Sequence, residues 1–164
     1  MDFEDAVEFI LEQEGGYVWD ANDPGGETNW GISKRAYPDL NIKELTRDDA
    51  VAIYRRDYWD AVKGDALPPY LRLMAFDCAV NQGVGRAIRL LQKSVGVKDD
   101  GVIGPLTERA LVKANELQAL HDMALFRHHA YTNNPSWKYY GKGWSSRLLK
   151  VAIVSAYYTT LESA

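Results

Sequence analysis

Apolar residues in this chain recur every three or four positions along most of its length, and no stretch alternates cleanly over a β-branched run. That property restricts the fold, because a stripe with a period near 3.6 is buried by helices and not by a sheet. The first stripe is Phe3, Ala6, Val7, Ile10 and Leu11, which predicts a helix over residues 2–14 ended by Gly15 and Gly16. Thr46 and Asp49 make a capping-box pattern that opens a helix running to about Val62. Pro68 and Pro69 punctuate the chain, and residues 70–81 read as an apolar central helix. Gly83 and Gly85 precede a short helix in "RAIRLLQKSVG", and Pro105 suits the first turn of a helix to about Asn115. Segments 116–131 and 144–162 complete the set, with "NNPSWKYYGKG" read as the separator between them. The expected fold class is mainly α, a helical domain with one long loop or short β-hairpin near its N-terminus.

The chain is long enough to bury a sizeable core, and it reads as one domain over 1–164, with an N-terminal part at 1–67 and a helical part at 68–164. The net charge of −4 argues against nucleic acid as a partner. Its distribution is uneven: residues 1–60 carry 6 basic and 15 acidic groups, whereas residues 121–150 carry 5 basic and 1 acidic. Such a basic segment could favour an anionic polymer or membrane surface, although a solvated face is the plainer reading. No apolar run approaches the roughly 18 residues of a membrane span, and "MDFEDAVEF" lacks the basic start of a secretory signal. Synthesis in the cytosol is expected, with export by outside help. The lone Cys78, in "MAFDCAVNQ", reads as a small buried apolar residue.

Chemistry concentrates in residues 11–32, "LEQEGGYVWDANDPGGETNWGI", which hold five carboxylates and five glycines. At 100° per residue Glu14 falls near the middle of the apolar stripe, while Glu12 lands almost opposite. A carboxyl group facing partly apolar surroundings loses solvation of its charged form and can hold a proton near neutral pH, as a general acid must. The alternative is that Glu14, in the last turn, emerges into solvent as the helix frays. Cleavage of a glycosidic bond with inversion needs a second, ionised carboxylate across the bond. Asp20 and Asp23 are the nearby candidates, Thr28 offers a hydroxyl to hold water, and Gly25 and Gly26 would let backbone approach a sugar. Asp23 also suits an ordinary turn in "NDPGG". The stretch departs from an EF-hand loop, which wants D-x-[DN]-x-[DN]-G and a glutamate at its twelfth position, where Ile32 is the nearest residue.

"EGGYVWDANDPGGETNWGI" resembles the N-terminal signature of glycoside hydrolase family 108, phage-type muramidases of the lysozyme-like superfamily. "YRRDYWDAV" is similar to the family's Tyr-rich helix, and "FDCAVNQGVGRAIRLLQ" with "DGVIGPLT" resembles its companion peptidoglycan-binding segment, so that the likeness runs from about residue 5 to "GWSSR" at 143–147. The resemblance implies a lysozyme-like fold and hydrolysis of the β-1,4 bond between N-acetylmuramic acid and N-acetylglucosamine in bacterial peptidoglycan. It implies Glu14 as the catalytic acid and an endolysin of a phage or prophage, active at the cell wall after accumulating in the host cytoplasm. Related phage lysozymes space Glu, acid and Thr by eight and five residues. Here Glu14 and Asp23 are separated by eight but Asp23 and Thr28 by four, which leaves Asp20 as the reserve second carboxylate.

For the substrate, Trp30, Tyr54, Tyr58 and Trp59 offer flat surfaces to sugar faces, and Asn81 and Gln82 offer amides to N-acetyl groups. An Asn in a similar Phe-to-Asn-x-Gly context lines the superfamily's cleft, which favours Asn81. Core packing competes for the aromatics, since Tyr54 and Tyr58 are i, i+4 partners. His121 and His128 lie about 10 Å apart along a helix, too far to share one ion, so neither a metal nor another cofactor is expected. The protein is expected to be a monomer. Two other readings of the residues stay open, a lytic transglycosylase, which also relies on one Glu, and a non-catalytic peptidoglycan-binding module.

Overall fold

The computed structural model describes residues 1–19 and 26–161. Helix α1 (Phe3–Glu14) starts at Asp2, whose carboxylate accepts from the Asp5 N–H at 2.9 Å. Its stripe of Phe3, Ala6, Val7, Ile10 and Leu11 is buried as the periodicity predicts. An antiparallel sheet follows, with strands β1 (Val18–Trp19), β2 (Glu27–Asn29) and β3 (Ile32–Ser33) in that order. Thr28 lies opposite Val18 on one side and Ser33 on the other. The buried Asn29 anchors this sheet, because its Nδ2 donates to the carbonyls of Ile42 at 3.1 Å and Leu45 at 3.2 Å. Those bonds satisfy an amide that would otherwise cost free energy in the interior.

Helix α2 (Arg47–Tyr54) carries the capping box of Thr46 and Asp49. The regular helix expected to Val62 ends at Tyr54, and Arg55–Trp59 forms a π-helical turn. The reason is packing. Residues five apart on an α-helix point roughly 140° apart, whereas Tyr54 and Trp59 both face Phe76, with ring centroids 6.2 and 5.4 Å away. The wider turn lets both rings enter the core.

Helix α3 (Pro69–Gln82) is buried along most of its length, and α1, α4 (Val84–Ser94), α6 (Glu116–Thr132) and α7 (Trp137–Leu161) pack around it. Between α4 and α5 (Pro105–Lys113), Gln92 braces the "DDGVIGP" turn: its Nε2 donates to Asp100 at 2.8 Å and its Oε1 accepts from the Gly101 N–H at 2.8 Å. Cys78 is buried in α3, and burial pushes its thiol up to about 11.

A second boundary also differs by about two turns from the sequence expectation. Helix α7 begins at Trp137 and runs through "WKYYGKG", which composition had marked as a separator. Gly141 lies inside the helix because a Cβ there would meet the Trp137 indole at 2.6 Å. The glycine provides close approach where it was read as a break. Ordinarily Gly→Ala within a helix stabilises by about 1 kcal/mol. Here the overlap reverses the sign, and Gly141→Ala is expected to destabilise by about 1–3 kcal/mol in urea unfolding; an unchanged or raised midpoint would contradict this packing.

Candidate active site

Glu14 is the last residue of α1, and Gly15, in the left-handed region at φ +72°, turns the chain away from it. Its side chain is 22% exposed. Arg147 of α7 donates from Nη1 to Glu14 Oε1 at 2.6 Å, and from Nε to Asp77 Oδ1 at 2.7 Å. Asp77 is fully buried in α3, and its Oδ2 accepts from Arg127 Nη2 at 2.6 Å. Arg127, also fully buried, donates from Nε to Gln82 Oε1 at 3.1 Å and from Nη1 to the Met74 carbonyl at 3.3 Å. Charges thus alternate from core to surface as Arg127, Asp77, Arg147 and Glu14, two cations against two carboxylates. Buried charges persist only when paired and hydrogen-bonded in this way.

The sheet supplies the other wall. Asn29 pairs with Ile32 across a two-residue turn in which Trp30 (φ +51°) and Gly31 (φ +77°) are both left-handed, the turn geometry that matches strand twist. Trp30 is an unusual residue there, and its carbonyl accepts the Tyr54 hydroxyl at 2.9 Å, which holds the turn. A Cβ on Gly31 would lie 2.3 Å from Tyr54 Oη and 2.8 Å from Glu14 Cγ. Tyr54, Gly31 and Glu14 therefore meet with no room for another methyl group. Burial, and after it the Glu14 charge, pushes the Tyr54 hydroxyl well above the ordinary tyrosine value.

The structure brings several of the sequence candidates together. Glu14, Trp30 and Tyr54 converge at the turn, and Asn81, with its amide oxygen facing Arg147, accepts from Nη2 at 2.9 Å. Gln82 sits one step further in, on Arg127. Thr28 lies on β2, with its side chain on the face opposite Asn29. Tyr58 is half-buried with its ring 5.7 Å from that of Tyr54. Tyr54 is 1% and Trp59 0% exposed, so both rings belong to the core and present no flat face to a sugar. Trp59 donates from Nε1 to Asp65 at 3.0 Å. Asp20, Asp23 and Gly25 lie outside the described residues. His128 packs edge-on against Trp137, and His129 contacts Asn133.

Sequence reasoning missed Arg147, Asp77 and Arg127. Asp77 carried a readable signal, since a carboxylate inside the apolar run "LMAFDCAV" must find a buried cation. A concavity of about 670 Å³ between the 36–45 segment and α2 is lined by residues such as Tyr37, Leu40, Asp49 and Arg56. None of the candidates named above lines it, and it stands apart from the Glu14 cluster.

A helical lysozyme-like body, with a small sheet packed on the carboxylate that ends its first helix, defines a glycoside hydrolase class. The glycosyl hydrolase 108 family model matches residues 7–83, the stretch from α1 through α3 that carries Glu14, the sheet and Asp77. Among solved structures, that of Brucella abortus SagA superimposes with a TM-score of 0.87 at 35% sequence identity, covering 94% of this chain and 93% of that one. No curated protein matches. The chain belongs to the glycosyl hydrolase 108 family.

Replacing Asp77 by Asn would leave two partly or wholly buried guanidinium groups short of a counter-charge. The expected loss is about 3–5 kcal/mol of unfolding free energy, read by chemical denaturation. A loss below about 1 kcal/mol, the scale of an exposed pair, would show that the buried row contributes little.

Proposed function

We propose that the protein is a peptidoglycan hydrolase, an N-acetylmuramidase that cleaves the β-1,4 bond between N-acetylmuramic acid and N-acetylglucosamine, with Glu14 as its general acid. The observation that carries this reading is the seat of Glu14. It is a partly exposed carboxyl on a rigid helix end, gripped at one oxygen by Arg147 and backed by the Gly31 turn. Family membership supplies the reaction class.

Asp77 draws on the same Arg147 guanidinium, which is thereby held in place beside Glu14. Arg147 engages Oε1 and leaves Oε2 to carry the proton. Bound glycan would exclude water from the site and present the glycosidic oxygen to Oε2. Asp23, or Asp20 in reserve, would activate water with the Thr28 hydroxyl on the other side of the bond. Asn81, exposed beside Arg147, and the half-buried Trp30 and Tyr58 are the candidates to meet N-acetyl groups and sugar faces. The biological setting that fits is an endolysin, made in the host cytoplasm as a monomer and released to the wall for cytolysis; of its basic segment, Arg127 and Arg147 are taken up by the buried row, and the exposed Lys138, Lys142 and Lys150 are left to meet an anionic membrane surface.

Glu14→Gln keeps shape and hydrogen bonding but cannot donate the proton. It is expected to lower the rate on purified peptidoglycan by about 10²–10⁴-fold without loss of fold by circular dichroism. Mass spectrometry of wild-type products should show reducing ends. Near-normal lysis by the folded variant would reject Glu14 as the acid, and 1,6-anhydro products would replace hydrolysis by transglycosylation.

A further inference from the structure

Helices α1 and α7 run antiparallel, and three contacts mark the register. Tyr158 Oη donates to Asp5 Oδ2 at 3.2 Å, Lys150 Nζ to Gln13 Oε1 at 3.5 Å, and Arg147 Nη1 to Glu14 Oε1 at 2.6 Å. Helix α1 stops at Glu14, while α7 extends ten residues further towards its start at Trp137. Whatever lies on the Arg147 face of that extension is left uncovered by α1, immediately beyond the candidate acid.

Two aromatic residues occupy that face. Trp144 and Tyr140 stand three and seven residues before Arg147, positions that share one side of a helix. Trp144 stacks on the buried Tyr131, with ring centroids 5.3 Å apart and an interplanar angle of 29°. Tyr140 leans on Trp144 at 5.9 Å and 31°, and is 61% exposed. The base of the stack is fixed, because the Tyr131 hydroxyl accepts from Arg127, the inner end of the charge row that reaches Glu14. Trp137 flanks Trp144 at 6.4 Å, lying across Gly141. The exposed ring of Tyr140 thus rests on an ordered aromatic column, about 10 Å along the helix from Arg147.

We infer that Tyr140, backed by Trp144, is a stacking platform for the glycan strand leading away from Glu14, receiving the face of a β-linked N-acetylhexosamine. The chemistry matches: the axial C–H groups of a pyranose carry partial positive charge, and an aromatic face carries negative charge. A ring held in place by its neighbours loses little entropy on binding. A span of about 10 Å fits a short run of sugars between the platform and the bond at Glu14. The assignment rests on the muramidase reading above.

Wild type, Tyr140→Ala and Tyr140→Phe are compared in steady-state hydrolysis of purified peptidoglycan. Binding of N-acetylglucosamine tetramer is measured by calorimetry in each form on the Glu14→Gln background. Tyr140→Ala is expected to raise KM roughly tenfold, the weight of one good aromatic contact, with a much smaller fall in kcat. The tetramer should weaken by a similar factor, and Tyr140→Phe should keep both values near wild type with an unchanged melting temperature. An unaltered KM and tetramer affinity in Tyr140→Ala would overturn the platform while leaving Glu14 untouched. So would equal losses in the Phe and Ala variants, or a tetramer that fails to bind with Tyr140 intact. An active Glu14→Gln protein, by contrast, would remove the reading on which the platform rests.

Discussion

One guanidinium holds the site together. Arg147 lies between the buried Asp77 and the partly exposed Glu14, so a single side chain links α7 to both α3 and α1. Charge-assisted bonds of this kind are short and directional. Here they act where water is largely absent, and a mismatch would be costly. Asp77 has no solvent to fall back on and must keep both arginines; Arg147 is therefore already oriented before any substrate arrives. The outer carboxylate is the end of the row that meets solvent, and so it is the member open to a partner from outside.

Backbone geometry completes what charge begins. The Trp30–Gly31 turn presses on Glu14 from the sheet side, and the Tyr54 hydroxyl locks that turn from the core side. Tyr54 itself is placed by the change from α-helix to π-helical turn that lets it and Trp59 share Phe76. A packing demand deep in the molecule thereby fixes the position of the carboxyl at its surface. The same logic extends along α7, where Gly141 admits Trp137 and the aromatic column beyond Arg147.

Local signals made much of the fold legible from sequence. The α1 stripe, the Thr46–Asp49 capping box and Pro105 at a helix start each act within a turn or two of chain, and each is found in place. The resemblance to family 108 is likewise matched by the family model. Contacts distant in sequence were not legible: Glu14 meets Arg147 across 133 residues, and Asp77 meets Arg147 and Arg127 across 70 and 50. Composition misled at "WKYYGKG", where glycine usually signals a break but serves close packing. Helical spacing alone could not decide whether Tyr54 faces core or cleft; the π-helical turn and Phe76 put it in the core.

The most direct measurement is a crystal structure of the Glu14→Gln protein with a tetrasaccharide of alternating N-acetylglucosamine and N-acetylmuramic acid bound. The account predicts a glycosidic oxygen within about 3 Å of the side chain at position 14, with Arg147 still bridging to Asp77. A glycan bound with every glycosidic oxygen out of reach of that side chain, and closer to another carboxyl group, would contradict it.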